Sequence, residues 1–352
     1  MKRAIVGLIL VAILAFPASG RELPSYFEAV RPLGMGGAFT AVADDHNALF
    51  YNPAGLDKVE RWGFALLNPL VEAGENGLGF YEDVRDTDLD STTEVVQLLR
   101  EYMGEYLHYR GAIFPHFVRH RFAVGLLGQV NVNVEPHNIA FPEADVDAVS
   151  TVGVHMGLGW GFLDGKLRLG GAVKYVKAYR LQQVYTAADI ASDDFGDQVE
   201  DDLKDGAGVG FDAGAMFTFP VFLRPTVAMV VQNIGDTDLG EAGEVPQQIN
   251  LGFSATHSFS WVSLTGAADW SDVTTELGQD DDLYKRLHFG LEARLRKILS
   301  VRAGLYQGYP SLGATVDFRI LRVDYATYAE EIGSSAGDRD DRRHVVQVSL
   351  GW

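Results

Sequence analysis

The chain contains no cysteine, which excludes disulfides, thiolate nucleophiles and thiolate metal sites. Basic residues are scarce: 29 Lys and Arg stand against 48 Asp and Glu, a formal charge of -19. A chain so acidic lacks the cationic face that a nucleic-acid partner needs. Beyond residues 4–16 no apolar run approaches the roughly 18 residues that a membrane helix requires, so any residence in a bilayer falls to strands. Catalytic signatures are missing as well. The nine histidines, His108, His116, His120, His137, His155, His257 and His288 among them, form no H-E-x-x-H spacing, and there is neither a G-x-S-x-G elbow nor a phosphate loop. No catalytic residue, metal site or cofactor is therefore expected.

What the chain does have is glycine, phenylalanine and tyrosine, 39, 20 and 14 respectively in 352 residues, and a long body of alternating apolar and polar positions. Met1-Lys2-Arg3, the apolar residues 4–16 and the small residues Ala18-Ser19-Gly20 have the order of an export signal over residues 1–20. From 61 to 352 the period is two, the mark of strands with unlike faces. Phe122, Val124, Leu126, Val130 and Val132 share one parity, and Gln129, Asn131 and Asn133 the other; Ile249, Leu251 and Phe253 interleave with Gln248, Asn250, Gly252 and Ser254.

The spacing predicts about fourteen strands, at 61–70, 109–118, 121–134, 150–163, 166–179, 206–219, 225–233, 246–256, 261–271, 285–295, 300–307, 311–318, 322–329 and 345–352. Short turns at 119–120, 164–165, 220–224, 257–260, 296–299 and 319–321 take every second connection, and most of the others are long. Three acidic clusters fall between the apolar runs: Asp193, Asp194, Asp197, Glu200, Asp201, Asp202 and Asp205; Asp280 to Asp282; and Asp338, Asp340 and Asp341. None has an EF-hand register, so they read as solvated loops. Segregated loop lengths suit short periplasmic turns and long outer loops. The fold class is thus all-β, a transmembrane antiparallel barrel of about fourteen strands over residues 61–352, with Trp352 as a terminal interface aromatic. One helix is predicted at 93–108, capped by Thr92 or Thr93 and carrying Val95, Leu98, Leu99, Tyr102, Met103 and Tyr106 on one face.

Residues 33–55, LGMGGAFTAVADDHNALFYNPAG, join a glycine-rich turn to an Asn-Pro-Ala turn. Through Gly34, Gly36, Gly37, Ala38, Ala43, Asp44, Asp45 and above all Asn52-Pro53-Ala54-Gly55-Leu56, the stretch resembles the N-terminal plug, or hatch, of FadL-type outer-membrane proteins and their PorV/PorQ-like relatives. Val230-Val231-Gln232-Asn233-Ile234-Gly235 and Leu287 to Glu292 followed by Val301 to Leu305 resemble later strands of the PorV/PorQ-like members. The resemblance implies a plug over residues 21–60 inside the barrel, gated by Gly34, Gly36, Gly37, Asp44, Asp45, Asn52, Pro53, Ala54 and Gly55. Asp44-Asp45-His46 reads as a group that caps a short helix and bonds the wall.

Parity assigns Asn131, Asn133, His155, Asp212, Asp269, His288, Glu292, Arg294, Arg302, Asp317 and Asp324 to the lumen. Charges enclosed there need partners, so an ion-pair network between plug and wall is expected. The family implies an outer membrane of Gram-negative type, surrounding lipid, and transport of a hydrophobic small molecule such as a fatty acid or an aromatic. Its PorV-like branch implies the alternative, an accessory of protein secretion or surface assembly that binds a protein client.

Overall fold

The computed structural model describes residues 26–277, 282–295 and 298–351. The export signal, residues 21–25 of the plug assignment, Asp280 and Asp281, Arg296 and Lys297 of one turn, and Trp352 lie outside the described residues.

One antiparallel sheet closes on itself as a barrel of 14 strands. In chain order its ladder segments are β1 (Gly63–Leu67), β2 (Leu70–Gly74), β3 (Leu107–Ile113), β4 (His116–Arg119), β5 (Phe122–His137), β6 (Glu143–Phe162), β7 (Leu167–Thr186), β8 (Lys204–Thr218) and β9 (Thr226–Gln232). A small ribbon of β10 (Thr237–Asp238) and β11 (Glu244–Val245) stands apart, and the wall resumes with β12 (Gln248–Ser258), β13 (Val262–Trp270), β14 (Leu287–Leu295), β15 (Leu299–Tyr306), β16 (Tyr309–Asp317), β17 (Leu321–Glu331) and β18 (Asp340–Gly351). β18 pairs with both β1 and β2, so the first and last strands meet and, among the described residues, the sheet has no open edge.

Alternation sorts the two faces. Val152, Val154, Met156, Leu158 and Trp160 of β6, and Leu251 and Phe253 of β12, are exposed on the outer wall, while Gly153, His155, Gly157 and Asn250 face inward. Trp62, Trp160, Phe162, Phe219, Phe222, Phe259, Trp261 and Phe318 are exposed beside the short turns. An apolar outer band with aromatics at its margin is the surface a bilayer requires.

The structure corrects four expectations. The strands read at 61–70 and 109–118 are each broken, at Asn68-Pro69 and at Phe114-Pro115. Proline has no N–H for the ladder, and the side chain of Asn68 bridges the gap: its Nδ2 donates to the Phe114 carbonyl (2.7 Å) and its Oδ1 accepts from the Phe114 N–H (2.8 Å). Second, 135–149 is not a long loop, because β5 and β6 continue to within five residues of each other, at 138–142; β7 likewise runs on to Thr186. The acidic composition there hid alternation that persists, since Val132, Val134, Ala144, Val146, Ala148, Leu181 and Tyr185 all point to the outer face.

Third, that outer face is covered by α-helices rather than lipid. α3 (Gly77–Asp86) and α4 (Thr92–Glu101) bury Phe80, Val84, Val95, Leu98 and Leu99 against it. α4 is therefore shorter than the predicted 93–108, is capped by Ser91, whose hydroxyl accepts from the Glu94 N–H, and packs on the wall's outer flank. Gly104, at φ 78°, ends this helical stretch, and His108 belongs to β3. Fourth, parts of the acidic clusters are not loops: Glu200 to Asp202 lie on the helix Phe195–Asp202, and Asp205, Asp340 and Asp341 lie on strands.

Candidate functional site

Residues 26–59 run inside the barrel. Short apolar and small residues dominate this segment, so it can fold as tight turns: α1 (Val30–Gly34), α2 (Ala48–Tyr51) and a 3-10 turn over Pro53–Lys58. Gly36 (φ 62°) and Gly37 (φ 83°) take left-handed conformations after α1 that a side chain would strain. Met35, Ala38, Phe39, Ala41, Ala48, Leu49, Ala54 and Leu56 are buried with Phe114, Val118, Leu127 and Met216 of the wall.

Glycine on the wall lets the segment's backbone approach it. A Cβ on Gly170 would stand 2.3 Å from the Ala54 nitrogen, one on Gly214 2.0 Å from Asn52 Oδ1, and one on Gly290 2.3 Å from the Met35 carbonyl. Gly34 meets Gly313 in the same way, and Gly55 fits under the Ala43 carbonyl, 2.2 Å from where its Cβ would be. The Asn-Pro-Ala turn is over-determined. Asn52 Oδ1 accepts from the Ala54 N–H (3.1 Å), capping the 3-10 turn whose first residue is Pro53, while Nδ2 donates to the carbonyls of Thr40 (3.1 Å) and Met229 (3.4 Å).

A second set of contacts is ionic. Glu292 accepts from Arg31 (3.0 and 2.9 Å), Arg294 (2.5 Å) and Arg302 (2.7 Å). Arg31 also reaches Asp44 and Asp45, each at 2.6 Å, and Arg294 reaches Asp44 at 2.8 Å. Arg302 donates to the Thr315 hydroxyl, which donates to Asp324, itself gripped twice by Arg322. Four arginines thus face four carboxylates, and the enclosed charge balances. Asp45 additionally accepts from the Asn47 N–H at the start of α2 (2.8 Å). Burial raises the Asp45 pKa, but Arg31 and His46 outweigh it and hold the carboxyl well below its usual range.

The other lumen-facing residues are placed as follows. Asp269 Oδ2 accepts from the N–H groups of Phe39 (2.7 Å) and Thr40 (2.6 Å), and His288 Nδ1 donates to the Gly36 carbonyl (2.8 Å). Asp212 pairs with Lys174 (2.8 Å) and accepts from the Asn233 N–H; His155 meets the Tyr26 hydroxyl (3.0 Å). Asn133 bonds His108 (2.6 Å), away from the segment, and Asn131 Oδ1 is buried without a partner. Asp317 sits at the short-turn end, where it accepts from the Arg319 N–H (2.7 Å). Arg31, Lys58 and Lys174 were not singled out from the sequence, and Gln232 was named only for its family resemblance. Lys58 donates to the carbonyls of Ala41 and Val42, and Gln232 to that of Phe50. Arg31, three residues before Gly34, carries no periodic signal, whereas Lys174 shares the inward parity of Asp212 on the neighbouring strand, a signal that was available.

The segment lies between two cavities. The outer one, about 90 Å³, is lined by Phe27, Phe50, Tyr51 and Tyr306 together with Asp269 and His288. The other, about 150 Å³, opens toward the short turns and is lined by Arg31, His46, His116, Arg319, Arg322 and Asp324. His46 stacks on His116 with ring centroids 3.9 Å apart. Among the described residues no group of three or more His, Asp or Glu is arranged to hold a metal ion.

The architecture is shared with solved channels. The chain is similar to the CymD monoaromatic hydrocarbon channel over 96% of its own length and 98% of that chain, at 12% identity and a TM-score of 0.52. It is similar to the Ralstonia pickettii toluene transporter TbuX over 93% and 98%, at 13% identity and a TM-score of 0.50. The deltaS2 mutant of the TodX monoaromatic hydrocarbon channel matches over 92% and 97%, at 11% identity and a TM-score of 0.52. No family model matches the chain, and no curated protein matches it in sequence. At such identities the likeness establishes the fold, that of a FadL-type barrel.

Proposed function

We propose that the protein is an outer-membrane channel for hydrophobic small molecules, in which residues 26–59 act as a plug that must shift for passage. The observation that carries this reading is the position of the segment: it separates an outer cavity from a periplasmic one within a barrel whose outer wall is apolar. The hydrocarbon channels that share the fold support the class of cargo, and they do not favour the secretion-accessory alternative. Gly34, Gly36, Gly37, Asp44, Asp45, Asn52, Pro53, Ala54 and Gly55 form the gate in this reading, and the domains are the plug and the barrel. Wall strands bond one another directly, so the barrel keeps its fold when the plug loosens.

Asn52→Ala removes at once the cap on Ala54, the bond to Thr40 within the segment and the bond to Met229 of the wall. In proteoliposomes, influx of a monoaromatic probe and ion leak are expected to rise severalfold while heat-modifiable gel mobility stays native. Unchanged permeability in this variant and in one lacking residues 33–55 would remove the gating role.

A further inference from the structure

The connection from β9 to β12, residues 233–247, leaves the wall at its long-loop end and turns into the lumen instead of outward. β8 shows the direction. Its even-numbered positions face the lumen, since Gly214 lies against Asn52 and Asp212 pairs with Lys174, while Val209 and Phe211 are exposed on the outer wall. Gly206, Gly208 and Gly210 continue the inward parity away from the short turns, and the ribbon of β10 and β11 is seated on them. A Cβ at Gly206 would overlap the Leu239 carbonyl oxygen, one at Gly208 that of Asp238, and one at Gly210 would crowd the Thr237 hydroxyl. Three glycines on one face weaken a strand, and the close approach of a second backbone is the physical reason to have them there. The inward position is therefore built into the wall.

The rest of the seat is as specific. Leu239 and Ala242 are buried against Val176 and Ala178 of β7, and Val245 and Tyr26 pack on the same cluster, so the ribbon also touches the head of the plug. Asn233 closes the base of the loop: its N–H donates to Asp212 (2.7 Å) and its Nδ2 to the Pro246 carbonyl (3.0 Å). Gln232 and Gln248, which flank the connection in sequence, both line the outer cavity. Along β8 the order from the long-loop end is ribbon and then plug, with Leu239 on Gly206, Thr237 on Gly210 and Asn52 on Gly214.

Resting on the transport reading above, we propose that residues 237–245 are an entrance constriction, fixed to the wall above the plug, that limits the size of the molecules reaching the outer cavity. The plug decides whether passage continues; the ribbon decides what arrives. Its free side carries Asp238, Glu241 and Glu244, all exposed, so the rim it presents is polar and a large apolar body gains nothing by lodging there.

The chain has no cysteine, so one placed in the cavity reports access to that point alone. Ser271, half-buried in the cavity lining, becomes the reporter in Ser271→Cys, and Ser335→Cys, on an exposed loop, supplies the reference rate. The full-length protein in detergent is treated with N-methylmaleimide or with N-(1-pyrenyl)maleimide, both uncharged, so that the carboxylates of the ribbon do not enter the comparison. Relative to the reference, the pyrenyl reagent is expected to react roughly tenfold or more slowly than the methyl one, because it enters only in the fraction of molecules whose ribbon has lifted. Two changes in the Ser271→Cys protein remove the constriction by independent routes. Gly208→Ala pushes the ribbon off the wall, and replacing residues 237–245 by Asn-Gly shortens the hairpin without touching the wall. With heat-modifiable mobility native, either should close most of the gap between the reagents. A gap of unchanged size in the shortened protein overturns the inference, as does the absence of a gap before any change to the ribbon. Both of those outcomes leave the transport reading standing. Failure of even N-methylmaleimide to react at Ser271→Cys, with the ribbon present or removed, would mean that the cavity has no entrance and would sink the two readings together.

Discussion

Around Asn52 and Pro53 the wall offers almost no side chain: Gly159, Gly170 and Gly214 let the plug backbone lie directly on the sheet. Around Arg31 the same wall offers Glu292, Arg294 and Arg302, and although Val30 and Leu33 beside it pack on apolar wall residues, the hold on Arg31 itself is ionic. The first kind of seat works by shape. It is short-ranged, indifferent to salt, and fails when a methyl group is added. The second works by charge balance. It tolerates small displacements, yet fails when one partner is removed, because the remaining buried charges lose their compensation. Under the gating proposed above, the charged half releases while the Asn-Pro-Ala turn keeps the segment tethered to the sheet.

The largest effect is expected from Arg31→Met, which takes from Asp45 its arginine partner, leaves Asp44 and Glu292 to Arg294 and Arg302, and unbalances the enclosed charge by one. Breaking a buried pair on one side costs about 3–5 kcal/mol, here charged to plug seating. Single-channel conductance should rise and trypsin should reach the plug, with the barrel still heat-modifiable. Adding Glu292→Gln should recover part of the loss, and a double variant worse than the single one would contradict the charge-balance account.

The comparison presumes a wall that stands without the plug, and lipid-face substitutions sharpen it. Leu251→Arg should cost ~2–4 kcal/mol near the bilayer midplane, read as a lower unfolding midpoint in urea, whereas Asn250→Arg faces the lumen and should be milder. Equal damage at both positions would contradict the register Leu251 to Trp270 and Asn250 to Val230.

Gly170→Ala tests the shape-held half. The added methyl lies 2.3 Å from Ala54 N and from Pro53 C, both backbone atoms that cannot rotate aside. Overpacking of this kind costs about 1–3 kcal/mol. Conductance should rise less than in Arg31→Met and by the same factor at low and high salt. A strong salt dependence would assign this half to electrostatics as well.

The two halves also differ in how far they could be read from the chain. Asn52-Pro53-Ala54 is legible because each residue has a backbone reason to be there, a cap, a fixed φ and a small side chain. Its partners are not legible, since Gly170 and Gly214 look like any strand glycine until three-dimensional closure brings them under the turn. Glu292, Arg302 and Asp324 were found by parity alone. Arg31 was missed because the plug has no period to sort its faces. Strand existence followed from alternation, but the ends of β5, β6 and β7 did not, because helices cover their outer faces where polar flanking sequence suggested loops. The breaks at Pro69 and Pro115 could have been read from proline itself, whereas the bridge made by Asn68 requires knowing that the two prolines stand on neighbouring strands.

The smallest expected effect separates the halves by pH. His46 belongs to the charge-held half, stacked on His116 and facing Asp45, Arg31 and Arg322. Burial first, then Arg322 and Arg31, lower its pKa from 6.5 to about 4, with Asp45 opposing. The seated plug therefore keeps His46 neutral where a released plug would protonate it. A depressed pKa contributes stability that is full above pH 6.5 and is lost as pH falls toward 4. Asp45 stays ionised through that window, because Arg31 holds its carboxyl well below the usual range. The ring also borders the cavity at the short-turn end, where solvent screens its charge, so the effect should be modest. Conductance of the wild type should rise gradually between pH 6.5 and 4, and His46→Phe, which keeps the stack but cannot titrate, should flatten the rise. The Gly170→Ala variant, loosened in the other half, should retain the wild-type slope. A slope that survives in His46→Phe would move the titrating group elsewhere in the lumen.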